Sequence, residues 1–352
     1  MFYYNYTKLL PQFILVALIF LVSCGSNTNK PAPVDVSDVD VEVAIKRFEK
    51  DLLGIDTNQI AKGVTTLQDK YPSFFDCFAT NIMGFKHPRD TGKQYLKRLS
   101  SLLNYGGFRA AYDSTMEQYP SIEFLQKDTK EAFRYFKHHF PNKPIPGLVT
   151  FVSEYSYGVI TCGDSIVGIG LDLYLGDDFK FYPAVKIPDY MIAKLEQEYI
   201  MPNVMKQVYS LSFSPQKGEE ESMLKRMVNN GRRLYFLDLT LPYTKDWYKI
   251  GYQEEELKWC RNNEPHIWGL FIEKELLYSS KYPDYRKYVS AAPNSPGMPH
   301  KAPGNTGSWV GWQIVRKFMK EHPDVTFEQM LTEYTPKEIL IQSNYKPKRS
   351  WL

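Results

Sequence analysis

The chain has 352 residues, with 43 Lys and Arg against 40 Asp and Glu. That near balance sets out no face for nucleic acid, and the length allows one large domain or two small ones. Aromatic residues make up 15% of the chain, 26 of them Tyr, which is more than a core usually asks for and points to some surface use in protein or glycan contact.

Residues 1–23 read as a leader. Phe13 to Val22 is continuously apolar, with Lys8 as the one positive charge before it. The run is about half of the ~20 residues that span a bilayer. Leu21-Val22-Ser23-Cys24 fits a bacterial lipobox, so the expectation is a lipoprotein signal peptide with Cys24 as the acylated first residue of the mature chain. Residues 24–38 are rich in Ser, Asn, Pro and Lys and read as a lipidated tether. No acidic run follows Cys24, which favours an anchor in the outer membrane that faces the periplasm.

The globular part is expected over 39–352. Residues 41–48 alternate like a strand and then pass into a helix through Leu52 and Leu53. From Asn58 to Phe140 the pattern is helical in pieces, broken at Tyr71-Pro72, His87-Pro88, Tyr119-Pro120 and Phe140-Pro141. Residues 145–171 hold β-branched and aromatic runs, with Gly163-Asp164-Ser165 as turn chemistry. Pro188 is expected to open a long helix carrying Met191, Leu195 and Tyr199 on one face, which Pro202 kinks or ends. Further helices are expected over 219–241, from Gln253 through Trp259 and Trp268, over 309–319 and from Pro336, with a proline-rich loop over 291–307. The fold class is α+β: a mostly helical single domain with a small mixed sheet.

Four cysteines are present. With Cys24 acylated, Cys77, Cys162 and Cys260 remain, so at most one disulfide forms, and its pair stays open. No cofactor motif stands out. The six histidines include no pair spaced by three or four, so a zinc-peptidase helix is absent, and His138 and His139 are adjacent and diverge. A metal site would need distant residues such as Glu264, His266 and His300. Ser165 in Gly163-Asp164-Ser165-Ile166 resembles an esterase nucleophile, but a strand follows it where a helix is needed, and a hairpin turn explains it. Asp172, Asp177 and Asp178 lack calcium-loop spacing and read as helix caps.

The chain resembles the gliding motility lipoprotein GldB family along nearly its whole length. The residues that carry the likeness are Val-Ala-Ile-Lys-Arg-Phe-Glu-Lys-Asp-Leu-Leu over 43–53, 170–176, Ile250-Gly251-Tyr252-Gln253 and Asn263-Glu264-Pro265-His266-Ile267-Trp268. To these are added Pro303-Gly304-Asn305-Thr306-Gly307-Ser308-Trp309-Val310-Gly311-Trp312-Gln313-Ile314-Val315 and 343–348. The resemblance implies a zincin-like scaffold without His-Glu-x-x-His, with Asn230-Gly231-Arg232-Arg233 where a glutamate ligand would stand. It implies no catalytic residue and no metal. What it does imply is a membrane-anchored component of the gliding machinery tied to type IX secretion, acting by contact with machinery proteins. A glycan-binding lipoprotein of polysaccharide uptake and a hydrolase with an unconventional metal site are the competing readings.

Overall fold

The computed structural model describes residues 29–85, 93–214 and 220–347. The leader, Cys24 and the His87-Pro88 break lie outside the described residues. The fold is α+β. Its sheet has β1 (Ile45–Arg47), β2 (Gly147–Phe151), β3 (Val159–Cys162) and β4 (Ile166–Gly170), in the order β1-β2-β4-β3. The first three neighbours run parallel, and β3 closes the edge antiparallel to β4. The sheet is therefore mixed, as its sequence suggests. The turn between β3 and β4 has Gly163 at φ +64°, a backbone state open to glycine.

The sheet separates two cores. On one face, Val149 and Phe151 pack with α1 (Phe48–Leu53), α2 (Ile60–Lys70), α3 (Pro72–Cys77) and, beyond a π-turn at Phe78–Ile82, α4 (Lys93–Leu103) and α5 (Gly106–Gln118). Phe48 lies at the centre, 5.1 Å from the rings of both Tyr71 and Phe74. On the other face, Leu148, Val167 and Ile169 meet the larger core. Both faces of β2 and β4 are covered, so those strands read as unbroken apolar runs rather than alternating ones.

The larger core is helical. It is built on α6 (Glu123–His139), two short helices, α7 (Phe181–Ala184) and α8 (Asp189–Ile192), then α9 (Ile200–Ser212) and α10 (Met223–Thr240). After these come α11 (Asp246–Ile250), α12 (Glu254–Asn262), α13 (Glu264–Glu273), α14 (Tyr282–Val289), α15 (Thr306–Glu321), α16 (Phe327–Glu333) and α17 (Pro336–Gln342). Phe140, Phe213, Phe236 and Phe327 cluster here, each pair of neighbouring rings 5.3–6.2 Å apart. Much of the aromatic excess is thus interior, where rings bury large areas and add edge-to-face contacts.

The helix expected from Pro188 is two pieces. The Leu195 carbonyl accepts from Gly176 N at 3.0 Å, and Glu196 is extended, so Lys194 to Glu196 leave the helical path before a 3-10 turn at Gln197–Tyr199 leads into α9. Met191 is exposed while Tyr199 is buried, so the expected shared face does not form. Pro202 neither kinks nor ends α9. It stands in the first turn, where its missing N–H breaks no helical bond. Likewise Trp259 and Trp268 lie on separate helices, divided at Asn263 just before Pro265.

Helices α10 and α15 touch backbone to backbone. A Cβ on Gly231 would sit 2.3 Å from the Gly311 carbonyl oxygen, and one on Gly311 would sit 1.9 Å from the Met227 carbonyl oxygen. Gly311→Ala is expected to push the helices apart, with a loss of about 3 kcal/mol or more in urea unfolding. A loss under about 1 kcal/mol would contradict this packing.

One disulfide joins Cys77 on α3 to Cys162 on β3, and Cys260 is buried and free. The bridge ties the smaller core to the sheet edge across a sequence separation of 85. Replacing both cysteines by serine is expected to cost about 4 kcal/mol through lost loop constraint, measured by denaturation without reductant. An unchanged midpoint would show that the bridge does not close.

Candidate functional site

The residues singled out in the sequence as chemical candidates do not assemble. His266 and His300 are exposed, and Glu264 instead accepts the Tyr345 hydroxyl at 2.6 Å. Among the described residues no group of three or more His, Cys, Asp or Glu side chains is placed to hold a metal ion. Ser165 is exposed in the β3–β4 turn, and its carbonyl accepts from Gly147 N at 2.8 Å. The rings of His138 and His139 meet edge to face, and burial followed by the neighbouring His138 lowers His139 to about 4.

Asp172 does not cap a helix. It is wholly buried, and its Oδ2 accepts the backbone N–H of Ser153 at 2.8 Å and of Tyr155 at 2.7 Å. Glu154 and Tyr155 both have positive φ, so this carboxylate holds a turn that would otherwise be strained. Burial pushes the Asp172 carboxyl up to about 6, against the two N–H donors.

The strongest electrostatic feature escaped the sequence reading. Asp238, on α10 and wholly buried, accepts from Lys249 Nζ at 2.9 Å, Trp312 Nε1 at 2.9 Å, Arg316 Nε at 2.7 Å and Arg316 Nη2 at 2.8 Å. Arg316 also reaches Asp246 at 3.0 Å, and Arg261 meets the same carboxylate at 3.2 Å. The Arg316 guanidinium lies 3.7 Å from the Trp312 ring centroid. The signal in the sequence was Trp312 and Arg316, four apart and hence on one face of a helix. Nothing local named their partner on α10.

Burial by itself would raise the Asp238 carboxyl, but Arg316 and Lys249 overcome it and hold it at about 2. An unfolded Asp titrates near ~3.9, so the folded pKa is depressed. The stability this pair contributes is complete above the unfolded value and is lost as pH falls toward the folded one. Asp238→Ala, which strands two buried cations, is expected to cost about 3–5 kcal/mol at neutral pH. The gap between wild type and variant should narrow in melts taken from about pH 5 downward. A gap that stays constant to the acid limit would contradict the assignment.

The N-terminal segment joins this network. Lys30 Nζ donates to the Pro242 carbonyl at 2.6 Å and stands 3.9 Å from Asp246 Oδ1. The Tyr135 hydroxyl donates to the Val34 carbonyl at 3.2 Å, Lys320 reaches the Asn29 side chain at 3.2 Å, and Val36 is buried. Residues 29–38, expected as part of a free tether, therefore lie along the domain. A 550 Å³ groove runs beside them, lined by Val34, Asp35, Lys127, Lys130 and Arg134. A 330 Å³ cavity opens next to it between α6, the start of α9 and the loop after α10, lined by Asp128, Glu131, Glu198, Lys245 and Tyr248. Tyr243 borders both and is 67% exposed.

These features define a two-core α+β domain with its N-terminal segment strapped to one face, and none of its described helices is long and apolar enough to cross a membrane. The chain belongs to the gliding motility protein GldB family, whose model matches residues 29–347. Membership gives it a role in gliding motility. Comparison with curated proteins and with solved structures gives no match.

Proposed function

We propose that this protein is a lipid-anchored, non-catalytic component of the gliding machinery, held at the outer membrane through Cys24 and linked to type IX secretion by protein contacts. Family membership carries the reading. The strapped N-terminal segment gives it a physical form. Six residue steps separate Cys24 from Lys30, so the chain can span at most about 20 Å between them. An acyl group on Cys24 therefore keeps the domain close to the bilayer and turns the face around Lys30 toward it. That face presents Tyr243 and Lys245, with the Lys245 ammonium 5.8 Å from the ring of the half-buried Trp247. Aromatic and basic side chains of this kind suit the headgroup region. The rest of the surface is left to meet partner proteins of the periplasm.

The Cys77–Cys162 bridge suits an oxidising compartment, which supports a location outside the cytoplasm.

The test is colony spreading of a deletion strain that carries either the wild-type gene or Cys24→Ala. Wild type is expected to restore spreading. Cys24→Ala is expected to leave the protein in the soluble fraction of the envelope, with spreading lost. Full spreading with the soluble variant would overturn the anchoring role, and a deletion strain that spreads normally would overturn the motility role.

A further inference from the structure

Three cations of helix α6 line the 550 Å³ groove beside the N-terminal segment: Lys127, Lys130 and Arg134. Their spacings of three and four residues place them on one face of the helix. Residues 33–37 of the strapped segment form another wall of the same groove. That wall is held from α6 itself, because the Tyr135 hydroxyl donates to the Val34 carbonyl at 3.2 Å and Val36 is buried. Tyr243 borders the groove, exposed, with its ring edge to face and 6.3 Å from that of Tyr135. The volume falls among those of small-ligand sites, ~300–1,000 Å³.

Lys127 and Lys130 are exposed, whereas Arg134 is half-buried. The Arg134 Nε is buried, and among the described residues it has no hydrogen-bond partner. A buried guanidinium N–H without an acceptor is costly, and an oxygen brought into the groove recovers that cost. The groove also holds two carboxylates, Asp35 and Glu131. Asp35 Oδ1 accepts the Ser37 N–H at 2.9 Å and so shapes the turn of the segment, and Glu131 also lines the neighbouring 330 Å³ cavity. Three cations against two carboxylates leave the lining net positive. The stretch ahead of the segment, 1–28, contains no Asp or Glu to offset it.

We infer that this groove takes the phosphate of an anionic lipid headgroup. The planar Arg134 fork suits two phosphate oxygens at once, and Lys127 and Lys130 add point charges on the same helix face. Position favours a lipid over other phosphates. Nine residue steps separate Cys24 from Pro33, so the chain holds the groove within about 30 Å of the proposed acyl anchor. Tyr243 on the border has the amphipathic ring that the headgroup region favours. The nearness of a bilayer rests on the anchoring reading, and the anion chemistry of the groove does not. A second point of attachment fixes the rotation of the domain, which a single tether leaves free.

The test uses the full mature chain with Cys24→Ala, which carries no acyl group, and follows its co-sedimentation with vesicles. Binding is expected to vesicles of phosphatidylcholine and phosphatidylglycerol in equal parts, and not to phosphatidylcholine alone. Soluble glycerol phosphate should compete. Arg134→Gln is expected to weaken vesicle binding about 10-fold, the loss of a charge-assisted contact. Lys127→Gln and Lys130→Gln should each weaken it about 5-fold. Both lysines are exposed, so these two variants should melt as the parent does and guard against a folding failure. Arg134→Lys keeps the charge but loses the fork, and should lose nearly as much as Arg134→Gln. Lys62→Gln, on α2 and outside the groove, should lose nothing. Equal binding or none to the two vesicle types, an equal loss with Lys62→Gln, or full binding by Arg134→Lys would overturn the inference. So would capture of glycerol phosphate or of a polyglutamate peptide without vesicle binding, which would assign the groove to a soluble phosphate or to an acidic protein segment. None of these results bears on Cys24, whose role is judged by fractionation and spreading.

Discussion

The structure depends most on one buried carboxylate. Asp238 faces the crossing of α10 and α15 and gathers Lys249, Trp312 and Arg316 onto two oxygens. Gly231 and Gly311 let the two backbones approach, and at that crossing Trp312 and Arg316 of α15 reach Asp238 on α10. The pairing is demanding in both directions. A buried charge without its partners is costly, so the helices cannot slide along each other without stranding one. Whatever its net contribution to stability, the network sets the register of the crossing, and the aromatic cluster around Phe236 packs on the frame it sets.

The same network reaches the edge of the fold. Arg316 shares Asp246 with Arg261, and Lys30 of the N-terminal segment approaches that carboxylate from outside. The strapped segment is thus coupled to the central crossing rather than laid on an indifferent surface. In the proposed anchored state, the distance and attitude of the domain at the membrane follow from this coupling. A free tether of the same length would give reach but no orientation.

The two cores divide the work of holding the sheet. The smaller one, centred on Phe48, is tied to the antiparallel edge strand by Cys77–Cys162, while the larger one covers the opposite face with α6, α9 and α10. Arg47 and Glu49 seal the junction, with Glu49 wholly buried and accepting the Thr150 hydroxyl at 2.7 Å.

What the sequence by itself determined was local. The mixed sheet, the turn at Gly163, the helix boundaries at Pro72, Pro120 and Pro141, the helix from Pro336 and the family could be read directly, because turn chemistry, periodicity and motif order act over a few residues. The long helix from Pro188 was misread because apolar spacing there matched a helix while a tertiary hydrogen bond from Gly176 claimed the Leu195 carbonyl. Asp172 was misread as a cap because its partners, Ser153 and Tyr155, lie on a distant turn. Only the tertiary structure decided that Cys77 pairs with Cys162 and leaves Cys260 buried, that Asp238 answers Arg316, and that residues 29–38 lie along the domain. Each of these joins residues far apart in the chain, and their energy exists only once packing has brought the groups within a few ångströms and removed the water between them.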